Sequence, residues 1–248
     1  MKKKELKSLY ERFLCKDTPE SLERFNSSQT DDKQSASQRL SHVYCLLGSF
    51  EWYFHKNDNL FFDYMKKSIF YKKEDLFLCK EGNPDFKTYP SLTSELFPDL
   101  CTGNEVIIRD FFSLIDDHFD YDEKPSSHPT PWMYRCLVVL TLGRMEDQFP
   151  HFLEKLKKGY STKRWGKLMP YADLIEAIWH RDESAFHEAL RVISNTHKSM
   201  VRGIFENQIE YQLLCLWGIG LCQLARIKGM HIDFDHEYIP RELIGEPR

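Results

Sequence analysis

Five residues near the C-terminus are of the types that bind metals or move protons. His231, Asp233, Asp235, His236 and Glu237 crowd into the run KGMHIDFDHEYIPRELI, residues 228–244. Imidazole and carboxylate together suit a divalent cation, but a site needs three or four convergent donors and partners that orient them. No second cluster along the chain supplies the remaining ligands. Alternation offers a competing account. In an extended segment His231, Asp233 and Asp235 point one way and Ile232 and Phe234 the other, so the apolar pair grips the protein while the polar residues face water. Gly229 suits the left-handed residue that ends a helix. We therefore expect a structural clasp over 229–248 and neither a metal site nor a cofactor.

Other reactive patterns fare no better. His-Arg-Asp-Glu at 180–183 is similar to a kinase catalytic loop, but His187 stands where that loop has asparagine, and no glycine-rich phosphate loop precedes it. Asp182 reads better as a helix cap. The chain contains no GxSxG, HExxH, GxxxxGK[ST] or GxGxxG run. Its seven cysteines are scattered without a CxxC pair, as expected of reduced thiols in apolar positions. We expect no enzymatic site.

Two charge clusters remain. DDHFDYDE, residues 116–123, holds five carboxylates: Asp116, Asp117, Asp120, Asp122 and Glu123. Acids at a helix C-terminus oppose the dipole, so a basic partner is one reason to have them there, and a solvated surface is the plainer one. KLKKGYSTKRWGK, residues 155–167, interleaves six bases with Tyr160 and Trp165. Such a patch can touch nucleic acid. The net charge of −4 argues against it, and a solvated turn is expected.

The elements that must position these residues are helical almost throughout. The 248 residues are 42% apolar and 14% aromatic, with only 11 Gly and 11 Pro. That composition excludes a disordered chain and disfavours a turn-rich β fold. Leu6, Leu9, Tyr10, Phe13 and Leu14 form a helical stripe. Thr18 and Pro19 suggest a new helix start, with Glu20 in its first turn and Leu22 and Phe25 on its apolar face. A polar stretch over 27–39 offers Asp31 or Asp32 as a cap. Helices are then expected over 34–54, 57–78, 91–97, from Asn104, from Pro131, and over 147–158, 168–180, 182–198 and 202–228. The last is apolar on all sides from Leu213 to Leu221, which places it at the centre, with Gly218 and Gly220 admitting a neighbouring helix. FHKNDNLFFDYM (54–65) and WHRDESAFHEAL (179–190) echo each other. In both, one helix ends, Asn57 or Asp182 caps the next, and Phe61 or Phe186 faces back. The expected fold is all-α, with antiparallel αα-hairpins stacked around a long buried C-terminal helix in a helical-repeat-like manner. A single domain over 1–248 is expected, with an irregular stretch over 79–104.

The start MKKKELKSLYERFL turns amphipathic before any apolar run develops, and no window reaches 18 apolar residues. We expect no leader, no membrane contact and a cytoplasmic protein.

The order of elements in the final third resembles the immunity protein 49 family. The pair LIEAIWHRDESAFHEAL precedes the apolar helix IEYQLLCLWGIGLCQLARIKG, which ends in an A-x-x-x-G step from Ala225 to Gly229. The chain then closes in a Y-[IL]-P-x-x-L-[LI] pattern at Tyr238, Ile239, Pro240, Leu243 and Ile244. The resemblance implies a bacterial protein that neutralises a cognate toxin by stoichiometric binding, the toxin being basic if the acidic run is the contact. It brings no catalytic motif. The alternative is a helical-repeat adaptor without a toxin partner. An enzyme would require a deep pocket with convergent titratable groups.

Overall fold

The computed structural model describes residues 3–27, 29–82, 98–116, 129–204 and 208–245. Among these the fold is all-α with no strand, and no helix is long and apolar enough to cross a membrane. The chain divides into two compact units, Met1–Phe86 and Lys87–Pro247.

In the first unit, α1 (Lys3–Arg12) passes through a π-helical turn, Phe13–Asp17, directly into α2 (Thr18–Phe25). Thr18 is therefore not a cap. Its N–H and its hydroxyl both donate to the Phe13 carbonyl, the hydroxyl at 2.7 Å. Pro19 explains the turn, because proline lacks an N–H and its ring collides with the carbonyl four residues back unless the helix widens. The extra residue also rotates the apolar stripe. Leu14 is 40% exposed while Asp17 is buried at 2%.

α3 (Thr30–His55) and α4 (Asp58–Gly82) form an antiparallel hairpin packed along its length. α3 begins four residues before the sequence expectation, with Asp31 and Asp32 inside its first turn, where the dipole favours acids. Its polar start is drawn into the hairpin. Gln34 Nε2 donates to Cys79 Sγ at 2.9 Å and Gln38 Nε2 to Asp75 at 3.1 Å, and Ser41 and Ser68 meet in the seam at 3.2 Å. A Cβ on Gly48 would lie 3.2 Å from the Phe61 carbonyl, so the helices approach closely there. Leu40, Val43, Tyr44, Leu47 and Tyr71 form one buried cluster, with Tyr10, Phe13, Leu22, Phe25 and Tyr64 packed against it.

In the second unit, α5 (Glu105–Asp116), α6 (Thr130–Leu142), α7 (Phe149–Tyr160), α8 (Met169–His180) and α9 (Glu183–Val201) pack as successive neighbours. The caps expected from sequence are present. Asn104 Oδ1 accepts from the Ile107 N–H at 3.1 Å, and Asp182 Oδ1 from the Ala185 N–H at 3.0 Å. The hairpin echo is geometric too. Lys56 and Arg181 are left-handed, at φ 52° and 56°; Asn57 and Asp182 cap the helices that follow, and Phe61 and Phe186 are wholly buried.

The expected single helix over 202–228 is broken. α10 (Ile209–Leu213) stops, Leu214 is extended, and α11 (Leu216–Ile227) starts afresh. The break frees the Cys215 N–H, which donates to the Tyr238 carbonyl at 2.8 Å. α11 is buried from Leu216 to Ala225 and packs on α8, as its all-round apolarity required. Gly218 admits a side chain, not a helix: a Cβ there would meet Ile239 Cδ1 at 2.6 Å. The expected helix over 91–97 lies outside the described residues.

Candidate functional site

The final segment answers the question posed by its five polar residues. Gly229 is left-handed at φ 83° and ends α11. From there exposure alternates, with His231, Asp233, Asp235 and Glu237 outward and Ile232, Phe234, His236 and Tyr238 half-buried. Ile239, Leu243 and Ile244 are buried, the last two in a short helix α12 (Arg241–Ile244).

The side chains of Asp233, Asp235, His236 and Glu237 make structural contacts, and His231 makes one through its backbone. The His231 N–H donates to Glu183 Oε1 at 2.6 Å. The Asp233 N–H donates to His187 Nε2 at 3.2 Å, and His187 Nδ1 sits 2.6 Å from the Glu183 carbonyl. That carbonyl can only accept, so His187 carries its proton on Nδ1 and presents a bare Nε2. Asp233 pairs with Arg241 at 2.8 Å, and Asp235 Oδ1 accepts from the Arg241 N–H at 3.1 Å, closing the start of α12. His236 Nδ1 accepts from the Tyr238 N–H at 3.3 Å, and Glu237 meets Lys198 at 3.2 Å. Among the described residues no three His, Cys, Asp or Glu side chains are grouped to hold a metal. The carboxylates tie the segment to α9 and to itself.

Beneath it runs a buried seam that periodicity alone did not find. Gln223 Nε2 donates to the Leu243 carbonyl at 2.7 Å. Trp217 Nε1 donates to the Tyr211 hydroxyl at 2.9 Å, and Tyr171 OH lies 3.3 Å from Cys215 Sγ. His197 meets the Tyr211 carbonyl at 2.8 Å and the Tyr238 ring at 4.5 Å. Burial raises the Tyr171 and Cys215 pKa values, the latter to about 11, so both stay neutral. Neutral buried phenol and thiol hold position and supply no nucleophile.

The two charge clusters are partly consumed. Asp116 pairs with Arg144 at 2.6 Å, and its side chain is only 7% exposed. Asp117, Asp120, Asp122 and Glu123 lie outside the described residues. In the basic run, Lys157 bridges α7 to α8 through Glu176 at 2.6 Å and Asp173 at 3.2 Å. Burial works against its charge, yet the two carboxylates prevail and raise its pKa. Tyr160 is core, its hydroxyl 3.3 Å from Met133 Sδ, and Arg164 covers the Trp165 ring at 4.8 Å. Tyr160 thus presents no face on which a base could stack.

This arrangement of α8, α9, α11 and the clasp as far as Leu243 lies within the stretch 108–243, which matches a family model described as immunity protein 49. The chain belongs to the immunity protein 49 family. Comparison with curated proteins and with solved structures found no match. The matched stretch begins in α5 and ends in α12, so it falls wholly inside the second unit, and it contains the step from Ala225 to Gly229 that ends α11 and the run Tyr238, Ile239, Pro240 in the clasp. Those positions are packing residues: Ala225 and Ile239 are fully buried.

Proposed function

We propose that this protein neutralises a cognate antibacterial toxin by binding it one to one, without turnover, in the cytoplasm. The observation that carries the reading is the immunity protein 49 match over 108–243. Physical features support it. A helix buried on all sides and a terminal segment tied down by hydrogen bonds give a surface organised before contact, so docking loses little conformational freedom. The contact we infer is the acidic run at Asp116, Asp117, Asp120, Asp122 and Glu123, facing a basic toxin. Asp116 is held by Arg144 at the end of α5, and the four carboxylates after it in sequence supply the negative charge.

Co-expression with the toxin encoded beside the gene tests the function. Growth rescue and a one-to-one complex by calorimetry are expected, and absence of both sinks the reading for that pair. Reversing Asp117, Asp120, Asp122 and Glu123 to lysine tests the contact. Unchanged affinity with unchanged salt dependence would move the interface elsewhere.

A further inference from the structure

The first unit carries a cleft outside the stretch that defines the family. It opens between the start of α1 and the end of α3 and is lined by Lys3, Lys4, Lys7, Tyr10, Phe54 and His55, with a volume of about 590 Å³. The sequence explains how it forms. Lys3, Lys7 and Tyr10 follow one another at helical spacing on α1, so two ammonium groups and a phenol ring share a face. α3 ends at His55, where Lys56 turns left-handed, and this leaves the Phe54 ring beside Tyr10 with centroids 6.0 Å apart. Phe50 lies behind both rings, 5.8 Å from Tyr10 and 5.9 Å from Phe54.

Floor and rim differ in chemistry. The floor is aromatic and half-buried, and its one polar atom is engaged: the Tyr10 hydroxyl donates inward to the buried carboxylate of Glu51 at 2.5 Å. That bond and burial hold Tyr10 protonated far beyond neutral pH, so it adds no charge. The rim is cationic. All three lysines are exposed, Lys7 meets only Glu11, at 4.0 Å, among the ion pairs of the described residues, and none of the six lining residues is acidic. Half-buried aromatic rings opening into a cleft and rimmed by one sign of charge select a ligand with an apolar body and the opposite charge on its flanks.

We propose that this cleft docks an acidic segment of a partner protein, with a bulky apolar side chain on Tyr10 and Phe54 and flanking carboxylates against Lys3, Lys4 and Lys7. The inference does not depend on toxin neutralisation, and its polarity is the reverse of the acidic contact proposed above, so the two surfaces take different segments. A nucleic acid fits the cleft less well. The Tyr10 and Phe54 rings are tilted by 41° and form no flat platform, and the Tyr10 hydroxyl, engaged by Glu51, cannot turn to a base edge.

Calorimetry on the full chain with the blocked pentapeptide acetyl-DEWED-amide tests the proposal. Saturable one-to-one binding that weakens as salt rises is expected. The triple variant K3E/K4E/K7E should weaken it by about tenfold or more, since three favourable contacts become repulsive. These positions are exposed, acids suit the first turn of α1 at positions 3 and 4, and Lys7→Glu gives up only a 4.0 Å exposed pair with Glu11, so helix content measured by circular dichroism should change little. Lys7→Glu alone should give a smaller loss in the same direction. Replacing the peptide's tryptophan by glycine should abolish measurable binding. Equal binding by wild type and triple variant, equal binding of the glycine peptide, or no binding at all overturns the proposal. Tighter binding of an eight-nucleotide oligothymidine than of the peptide overturns it in favour of a nucleic-acid site.

Discussion

His197 is 1% exposed, and its two ring nitrogens are treated unequally. Nε2 faces the Tyr211 carbonyl, which can only accept, so Nε2 carries the proton. Nδ1 has no hydrogen-bond partner among the described residues. A second proton on Nδ1 would bury an imidazolium, and burial accordingly pushes the pKa down to about 4. In the unfolded chain the group returns to about 6.5. The unfolded state therefore binds more protons between pH 6.5 and 4, and stability from this residue is full above 6.5 and falls as pH drops towards 4. The loss is at most about 3 kcal/mol, at 1.36 kcal/mol per unit. Urea unfolding of wild type and His197→Gln at pH 7.5 and 4.5 should show the smaller acid loss in the variant; equal losses would mean that His197 does not couple to acid. Gly218 makes a second residue-level case. Alanine gains about 1 kcal/mol of helix propensity there, but its methyl would sit 2.6 Å from Ile239 Cδ1 and 3.0 Å from Cys215 Sγ. Overpacking of a full core costs about 1–3 kcal/mol, so Gly218→Ala should be destabilising on balance. Ile239→Ala alone should cost about 2–4 kcal/mol through the cavity it leaves. The double variant should cost less than the two together, because the new methyl enters that cavity. Strict additivity in chemical denaturation would show that the two side chains do not meet.

At the scale of elements, the π-helical turn at Phe13–Asp17 decides which side of α2 is buried. It turns the Asp17 carboxylate inward, where Arg39 holds it at 3.1 Å and Arg12 at 3.3 Å. Both arginines are about half exposed, so removing the acid strands neither in a dry interior. Asp17→Ala should then cost about 1–2 kcal/mol, less than for a fully buried pair. Thermal unfolding checks this, and a variant as stable as wild type would mean that the pairs contribute nothing. How much was legible in the sequence follows from the same elements. Asn57, Asn104 and Asp182 announced helix starts because a short side chain caps the adjacent N–H groups, a wholly local interaction. Gly229 announced a helix end for an equally local reason. The alternation of 231–238 gave the clasp its two faces. The π turn was signalled only by Pro19, and the pattern reads equally well as a fresh helix start. The break at Leu214 was invisible, because what ends α10 there is a carbonyl from Tyr238, distant in sequence. The cleft was hidden for a similar reason. Tyr10 fits a core stripe, and only the end of α3 shows that its ring floors an opening.

Charge is a property of the whole molecule, and here it is unevenly divided. Residues 1–86 carry 15 Lys and Arg against 14 Asp and Glu, whereas residues 87–248 carry 19 against 24. The negative excess thus belongs to the part of the chain that contains the immunity protein 49 match. Acids clustered within one short run concentrate that excess further. Such a field accelerates encounter with a basic partner and contributes less to how long the complex lasts, because rim charges act mainly on the association rate. If the partner is the basic toxin proposed above, stopped-flow association should slow by about tenfold or more as ionic strength rises from 10 mM to 300 mM, while dissociation changes far less. Reversing Asp117, Asp120, Asp122 and Glu123 should remove most of that salt dependence. Asp116 is the internal control. Its side chain is paired with Arg144 and nearly covered, so Asp116→Asn should lower stability and leave the salt dependence of association largely intact. An association rate indifferent to salt, in wild type and reversed variant alike, would show that the acidic run does not steer the partner and that the recognition surface is uncharged.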